Sequence, residues 1–365
     1  MNIERLFRII YEIQTELDKV DLVSKFKETM DHLQNQINQP QQPAHQTNFV
    51  NSLNQLYKLL DNSIINDFSP CWKQILEEIG GDKILGRALK QNLQSIISSN
   101  QITPASALEK IKNLFSLLEN FKMAIDNTIA GLIELNIDVD IIDKGKCELG
   151  YLIPRSHVEN KLSSLNKEIS ELSFILNTIP EAVLGEKQDF EVKTISSSDY
   201  LFYIIIGLSI ANVLSNVFER IINNYKNILE IKVLRNQLKK KGVPDKDTKG
   251  IEEFANKSMG FEIKKIAHEI IKKYYKGEVG RKNELTNALI ISFNKIANRI
   301  DKGFHIEIRV ETLPEPKEGE KITKETKENI NLINSIKERS RTLEYIKTDG
   351  KSILTLKEDN GKNKK

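Results

Sequence analysis

YLFYIIIGLSIANVLSNVF, from Tyr200 to Phe218, is nineteen residues without a charge, entered through Ser196-Ser197-Ser198-Asp199 and left through Glu219-Arg220. About twenty apolar residues cross a hydrocarbon core, so length alone permits a transmembrane helix. Polarity points elsewhere. Ser209, Asn212, Ser215 and Asn216 recur every three or four residues, and the stripe continues past the uncharged run as Glu219, Asn223 and Lys226. That is one polar face of an amphipathic helix. Leu201, Ile204, Ile205, Leu208, Ala211, Leu214, Phe218, Ile221, Ile222, Tyr225, Ile228 and Leu229 form the opposite face. The spacing predicts one buried bundle helix from about residue 199 to about residue 240, capped within Ser197-Ser198-Asp199. A membrane-inserting helix stays open beside it, because Asn is tolerated in a bilayer when it faces other helices and cations follow the segment.

Upstream, Ile3, Leu6, Ile10, Ile13 and Leu17, then Val23, Phe26, Met30, Leu33 and Ile37, have the spacing of two consecutive amphipathic helices. Gln39 to Gln46, QPQQPAHQ, carries no apolar payload and is expected to be a surface connection. Helical patterns resume at Phe49 to Leu60, Cys71 to Ile79 and Ile84 to Ile97. Thr103-Pro104 then offers an N-cap and a first-turn proline for a long helix to about Leu135.

From Lys146 the period changes. Cys147, Leu149, Tyr151 and Ile153 alternate before Pro154, as do residues in Phe190 to Ile195 and in His305-Ile306-Glu307-Ile308-Arg309-Val310. These are three strands. Helices are expected over Ser156 to Ile179, Gly250 to Lys276 and Lys282 to Asp301. Leu313-Pro314-Glu315-Pro316 is expected to be linker, followed by a peripheral helix to about Tyr345, a short strand at Ile353 to Leu356 and a disordered tail, EDNGKNKK. The fold class is mostly α: an elongated helical bundle with a small three-stranded sheet, an α+β core. Its domains are an N-terminal helical region 1–138, the core 139–312, and a linker, helix and tail 313–365.

The chain has 365 residues, ample for a core without staples, and 54 basic residues nearly balance 51 acidic ones for a net charge of +3. So weak a field excludes a strong bulk pull toward nucleic acid and leaves local patches open. Two cysteines, Cys71 and Cys147, and an N-terminal stretch that mixes Glu4, Glu12 and Glu16 with Arg5 and Arg8 indicate a cytoplasmic protein without a signal peptide. The abundance of Lys, Ile, Asn and Leu suits a bacterial source.

Candidate chemistry is sparse. Alternation puts His305, Glu307 and Arg309 on one strand face, where Glu148, Glu191 and Lys193 are able to join them. Arg309 would hold an anion while His305 exchanges a proton; the plainer reading is a solvated face with cross-strand ion pairs. Arg155, in Pro154-Arg155-Ser156-His157, lies at a strand-to-helix junction suited to an anion, although Ser156 with Glu159 also explains the spacing as a capping box. Arg281, beside Lys282 at the start of a helix, is a third candidate cation for phosphate. His268-Glu269 lacks the second histidine of a zinc-protease motif, and no P-loop, dinucleotide motif, serine elbow or paired-cysteine metal site is present, so no catalytic residue, cofactor or metal is assigned.

Glu148-Leu149-Gly150-Tyr151-Leu152-Ile153-Pro154-Arg155, Ile195-Ser196-Ser197-Ser198-Asp199, Asn227-Ile228-Leu229-Glu230-Ile231 with Leu234-Arg235, and Arg281-Lys282-Asn283-Glu284-Leu285 together resemble a group of uncharacterised bacterial proteins over roughly Lys146 to Val310. The resemblance implies a cytosolic helical protein with a small sheet, from mobile or phage-defence gene neighbourhoods, and carries over no catalytic residue. The expected role is a non-enzymatic sensor, adaptor or scaffold in anti-phage defence, bound through long helix faces to a protein partner or to further copies of itself. A nuclease or hydrolase built around His305, and a conditional membrane-disrupting effector using residues 200–218, are the alternatives; nucleic acid is a lesser candidate partner.

Overall fold

The computed structural model describes residues 3–143, 145–196, 200–244, 249–311, 323–343 and 352–359. The chain divides into two units, Met1–Ile141 and Ile142–Lys365. The boundary thus falls at 141/142 instead of 138/139, and the C-terminal segment is counted with the second unit.

The first unit is helical: α1 (Ile3–Lys19), α2 (Leu22–Asn38), α3 (Pro43–Asp61), a 3-10 turn at Ile64–Asp67, α4 (Pro70–Glu78), α5 (Gly86–Ser99) and α6 (Pro104–Glu134). Ile10, Ile13 and Leu17 are buried on α1 as the spacing predicts, but Ile3 is exposed and Leu6 half-buried, and Phe7 is buried instead. The proline-glutamine stretch is only partly a connection, because Pro43 opens α3; proline suits a first turn whose N–H has no partner in any case. α2 packs against α3 and α6, with Phe26 and Phe115 edge-on at 5.4 Å.

The second unit contains β1 (Lys146–Ile153), α7 (Arg155–Val158), α8 (Leu162–Leu184), β2 (Glu191–Ile195), β3 (Tyr200–Gly207), α9 (Leu208–Lys240), α10 (Lys249–Tyr274), α11 (Val279–Asp301), β4 (His305–Val310) and α12 (Lys324–Thr342). The mostly helical class holds, but the sheet has four strands, in the order β2-β3-β1-β4 with antiparallel neighbours throughout. The additional strand is the first part of the uncharged run. Tyr200 to Gly207 pairs with β1 on one side and, over Phe202 to Ile205, with β2 on the other, and residues on both of its faces are buried. A central strand of this kind is apolar without alternation, and Ile204-Ile205-Ile206 with Tyr200, Phe202 and Tyr203 supplies the β-branched and aromatic side chains that fit a pleat. The helix therefore begins at Leu208, after Gly207, rather than near residue 199. The proposed caps Ser197, Ser198 and Asp199 lie outside the described residues, as does the Leu313-Pro314-Glu315-Pro316 linker.

Register places Leu149 between Ile204 and Ile308, and Cys147 between Ile206 and Val310, on one sheet face that joins the helix core around α9, α10 and α11. Burial pushes the Cys147 thiol up to about 12, which keeps it protonated and unreactive. The polar stripe of α9 is a seat for α12: Arg339 donates to the Asn212 side chain at 2.8 Å and approaches Glu219 at 3.7 Å. Ile333 and Ile336 are buried against the core, and the rest of this helix is exposed or half-buried, as a peripheral helix is.

Residues 353–357 do not form the expected strand. They are held instead by side chains of α10 and α11: Asn256 accepts from Thr355 N at 2.7 Å, Asn298 accepts from Leu356 N at 3.0 Å and returns a bond to its carbonyl at 2.9 Å, and Asn294 donates to Lys357 O at 2.7 Å. Asp301 closes the row. Its Oδ2 accepts from Ile353 N at 2.5 Å and Leu354 N at 2.7 Å, while Oδ1 accepts from the Tyr225 hydroxyl at 2.6 Å and Lys232 Nζ at 3.1 Å. Of the tail read as disordered, Glu358 is bonded to Asn298 at 2.7 Å, and residues 360–365 lie outside the described residues.

Candidate functional site

The sheet face opposite the helix core carries the predicted polar residues. Glu148 stands across from Arg309, with 3.5 Å between charged atoms, and Lys193, at an irregularity in the β2–β3 register, reaches Glu148 at 3.9 Å. Glu307 lies across from Gly150 because a Cβ there would meet Glu307 Cγ at 2.7 Å; the missing side chain makes the space. The face is solvated only at its β2 edge, where Glu191 is exposed; at its centre Glu148 is 1% exposed and Glu307 3%. Burial lowers the His305 pKa to about 4, so the imidazole is neutral at pH 7. The residues share a face without converging on a point. His305 pairs with Leu152, four positions along the strand from Arg309, a separation of about 13 Å at ~3.3 Å per residue.

Arg155 and Arg281 are engaged elsewhere. The Arg155 guanidinium lies 4.7 Å from the Tyr200 ring centroid and donates to Asn160 at 3.3 Å. Ser156 and Glu159 do not form a capping box, because α7 ends after one turn, Glu159 turns into the left-handed region at φ 52°, and α8 starts at Leu162 without a side-chain cap. Arg281 is tied to Glu181 of α8 and to Glu284 at 2.7 Å, which raises its pKa and holds it as a surface strut.

A second polar cluster was not anticipated. His157 of α7 meets Glu168 of α8 at 3.2 Å, Glu168 accepts from Arg299 Nε of α11 at 2.8 Å, and Arg299 approaches Glu358 at 3.5 Å. His157 also sits edge-on to Phe304, with centroids 4.9 Å apart. An imidazole backed by a carboxylate has the form of a base and its orienting partner. Here the carboxylate is also bound by a guanidinium, so the array serves as a strut that joins α7, α8, α11 and Glu358. The sequence signal was Lys295 and Arg299, one helical turn apart on α11.

The third region is the outer surface of the α9–α10 pair. The two helices run antiparallel, joined by Arg220 to Glu262 at 2.7 Å and to Glu269, and by Arg235 to Glu252 at 2.5 Å. Arg220, Asn223, Asn224, Asn227, Ser258, Phe261 and Glu262 line an open depression of about 360 Å³. Beside it Phe254 and Phe261 are 60% and 71% exposed, on one face of α10 two turns apart.

Among the described residues, no helix is long and apolar enough to cross a membrane, and no group of three or more His, Cys, Asp or Glu side chains is placed to hold a metal ion. The chain matches no family model, no curated protein and no solved structure.

Proposed function

We propose that this chain is an interaction protein, an adaptor or scaffold, whose docking surface is the outer face of the α9–α10 pair. The observation that carries this reading is the exposure of Phe254 and Phe261 on one helix face beside the asparagine-lined depression. A single exposed phenylalanine is ordinary, but aligned aromatics next to a concave polar surface have the form of an anchor patch. The charges of the sheet face and of the α8–α11 cluster are engaged in ion pairs and hydrogen bonds with one another. That supports their reading as structural groups.

Site-specific photo-crosslinking in a bacterial expression host tests the proposal. A benzophenone amino acid at position 261 is expected to give a discrete adduct that the same group at Lys187, an exposed loop position, does not. Equal yields from both positions, or no adduct from either, would overturn it.

A further inference from the structure

We propose that the partner of this face is a single-stranded nucleic acid, stacked on Phe254 and Phe261 and held by the lysines between and beyond them. The inference rests on the α9–α10 face being a docking surface and names its occupant. Its basis is the alternation of ring and cation along α10. Phe254, Lys257, Phe261, Lys264, Lys265 and Lys272 are all exposed and recur at helical spacing on one side. Three acids of the same helix are paired with cations of α9: Glu262 and Glu269 with Arg220, and Glu252 with Arg235. Glu253 stands outside these pairs and is exposed, but the four lysines outnumber it, so the stripe keeps a cationic excess despite the near-neutral chain.

Each element has a counterpart in single-strand recognition. Phenyl rings stack on any base, and the two here lie about 10.5 Å apart along the axis at ~1.5 Å rise per residue. Lysines between them neutralise phosphates. Asn223 and Asn227, exposed on α9 across from Phe261, add amide donors and acceptors that pair with base edges, and Ser258 already bonds Asn224 at 3.3 Å within the same depression. An anionic membrane is less well matched. The rings are separated by Lys257 and Ser258, so no continuous apolar face is available to embed. A protein partner would use the phenylalanines but leave the lysine series without a role.

The test is fluorescence anisotropy of the full chain with labelled single strands of about twenty nucleotides, long enough to span the stripe. Flotation with phosphatidylcholine–phosphatidylserine vesicles runs in parallel. Binding is expected to weaken with salt on a logarithmic slope near −3, from about 0.7 per phosphate and four lysines. Phe254→Ala with Phe261→Ala, and Lys264→Glu with Lys265→Glu, are each expected to lower affinity about ten-fold or more, while Lys187→Glu does not, all with unchanged thermal melts. Binding that both double variants retain would overturn the inference. So would failure to bind strands at low salt while position 261 still crosslinks a protein or the vesicles float, an outcome that leaves the docking face standing. If position 261 also gives no adduct, the underlying reading fails with it.

Discussion

The interior of the second unit and the outer face of its α9–α10 pair invert the usual distribution. Inside, Asp301, Lys232, Glu148, Glu307, Glu168 and Arg299 are buried; outside, Phe254 and Phe261 stand in solvent. Asp301, Lys232, Glu148, Glu168 and Arg299 are bonded to groups far away in sequence, Tyr225 to Asp301 across 76 positions for example, and so tie elements together. The exposed rings tie nothing in the fold. Charge, which sequence reading associates with a site, works here as structure, and apolar surface, which it associates with core, is what remains available for function.

Substitutions that respect or violate this division should differ by several kcal/mol. Asp301→Ala leaves Lys232 buried without its partner and two tail amides without an acceptor, and is expected to cost about 3–5 kcal/mol by urea unfolding. A loss below about 1 kcal/mol would show that the interior charges are not structural. Next comes acid sensitivity. The folded state holds His305 near a pKa of about 4 against 6.5 unperturbed, so its stabilising contribution is complete above pH 6.5 and is lost as pH falls toward 4. The part carried by this group, up to about 3 kcal/mol, should vanish from the pH profile of His305→Gln. Equal slopes between pH 7 and 4.5 in both proteins would remove His305 from the account.

Gly150→Ala forces Glu307 to move from its place across the strand and is expected to cost about 1–3 kcal/mol. If instead the variant melts like the parent, the close approach is not a packing constraint. Smallest of all, Phe254→Ser with Phe261→Ser should change stability by less than about 0.5 kcal/mol, because neither ring is buried. Marked destabilisation there would place the rings with the interior and collapse the contrast.

Legibility followed periodicity. β1, β2 and β4 alternate apolar and polar residues along the chain, and α6 announces itself by Thr103-Pro104. Past Gly207, α9 was legible because its polar stripe crosses Glu219 unbroken. β3 was not, because a strand covered on both faces has no period to display, and eight apolar residues read the same in a buried helix. Ile204-Ile205-Ile206 and the terminal Gly207 were the available signals. At the candidate site, the shared face of His305, Glu307 and Arg309 followed from alternation, but its burial did not, since local pattern cannot tell what covers a face. The roles of Asn256, Asn294, Asn298 and the Asp301 Oδ2 atom were hidden for a related reason: the backbone groups they bind lie beyond Ser352.

The row of side chains that receives residues 353–357 also bears on biosynthesis. Asp301 and the asparagines of α10 and α11 leave the ribosome well before the amides they bind, so the second unit cannot complete its interior until translation has passed Lys357. Its final closure waits on a segment made more than fifty residues after Asp301, and a nascent chain stalled short of Ile353 would present a carboxylate and three amides to chaperones in place of a finished core.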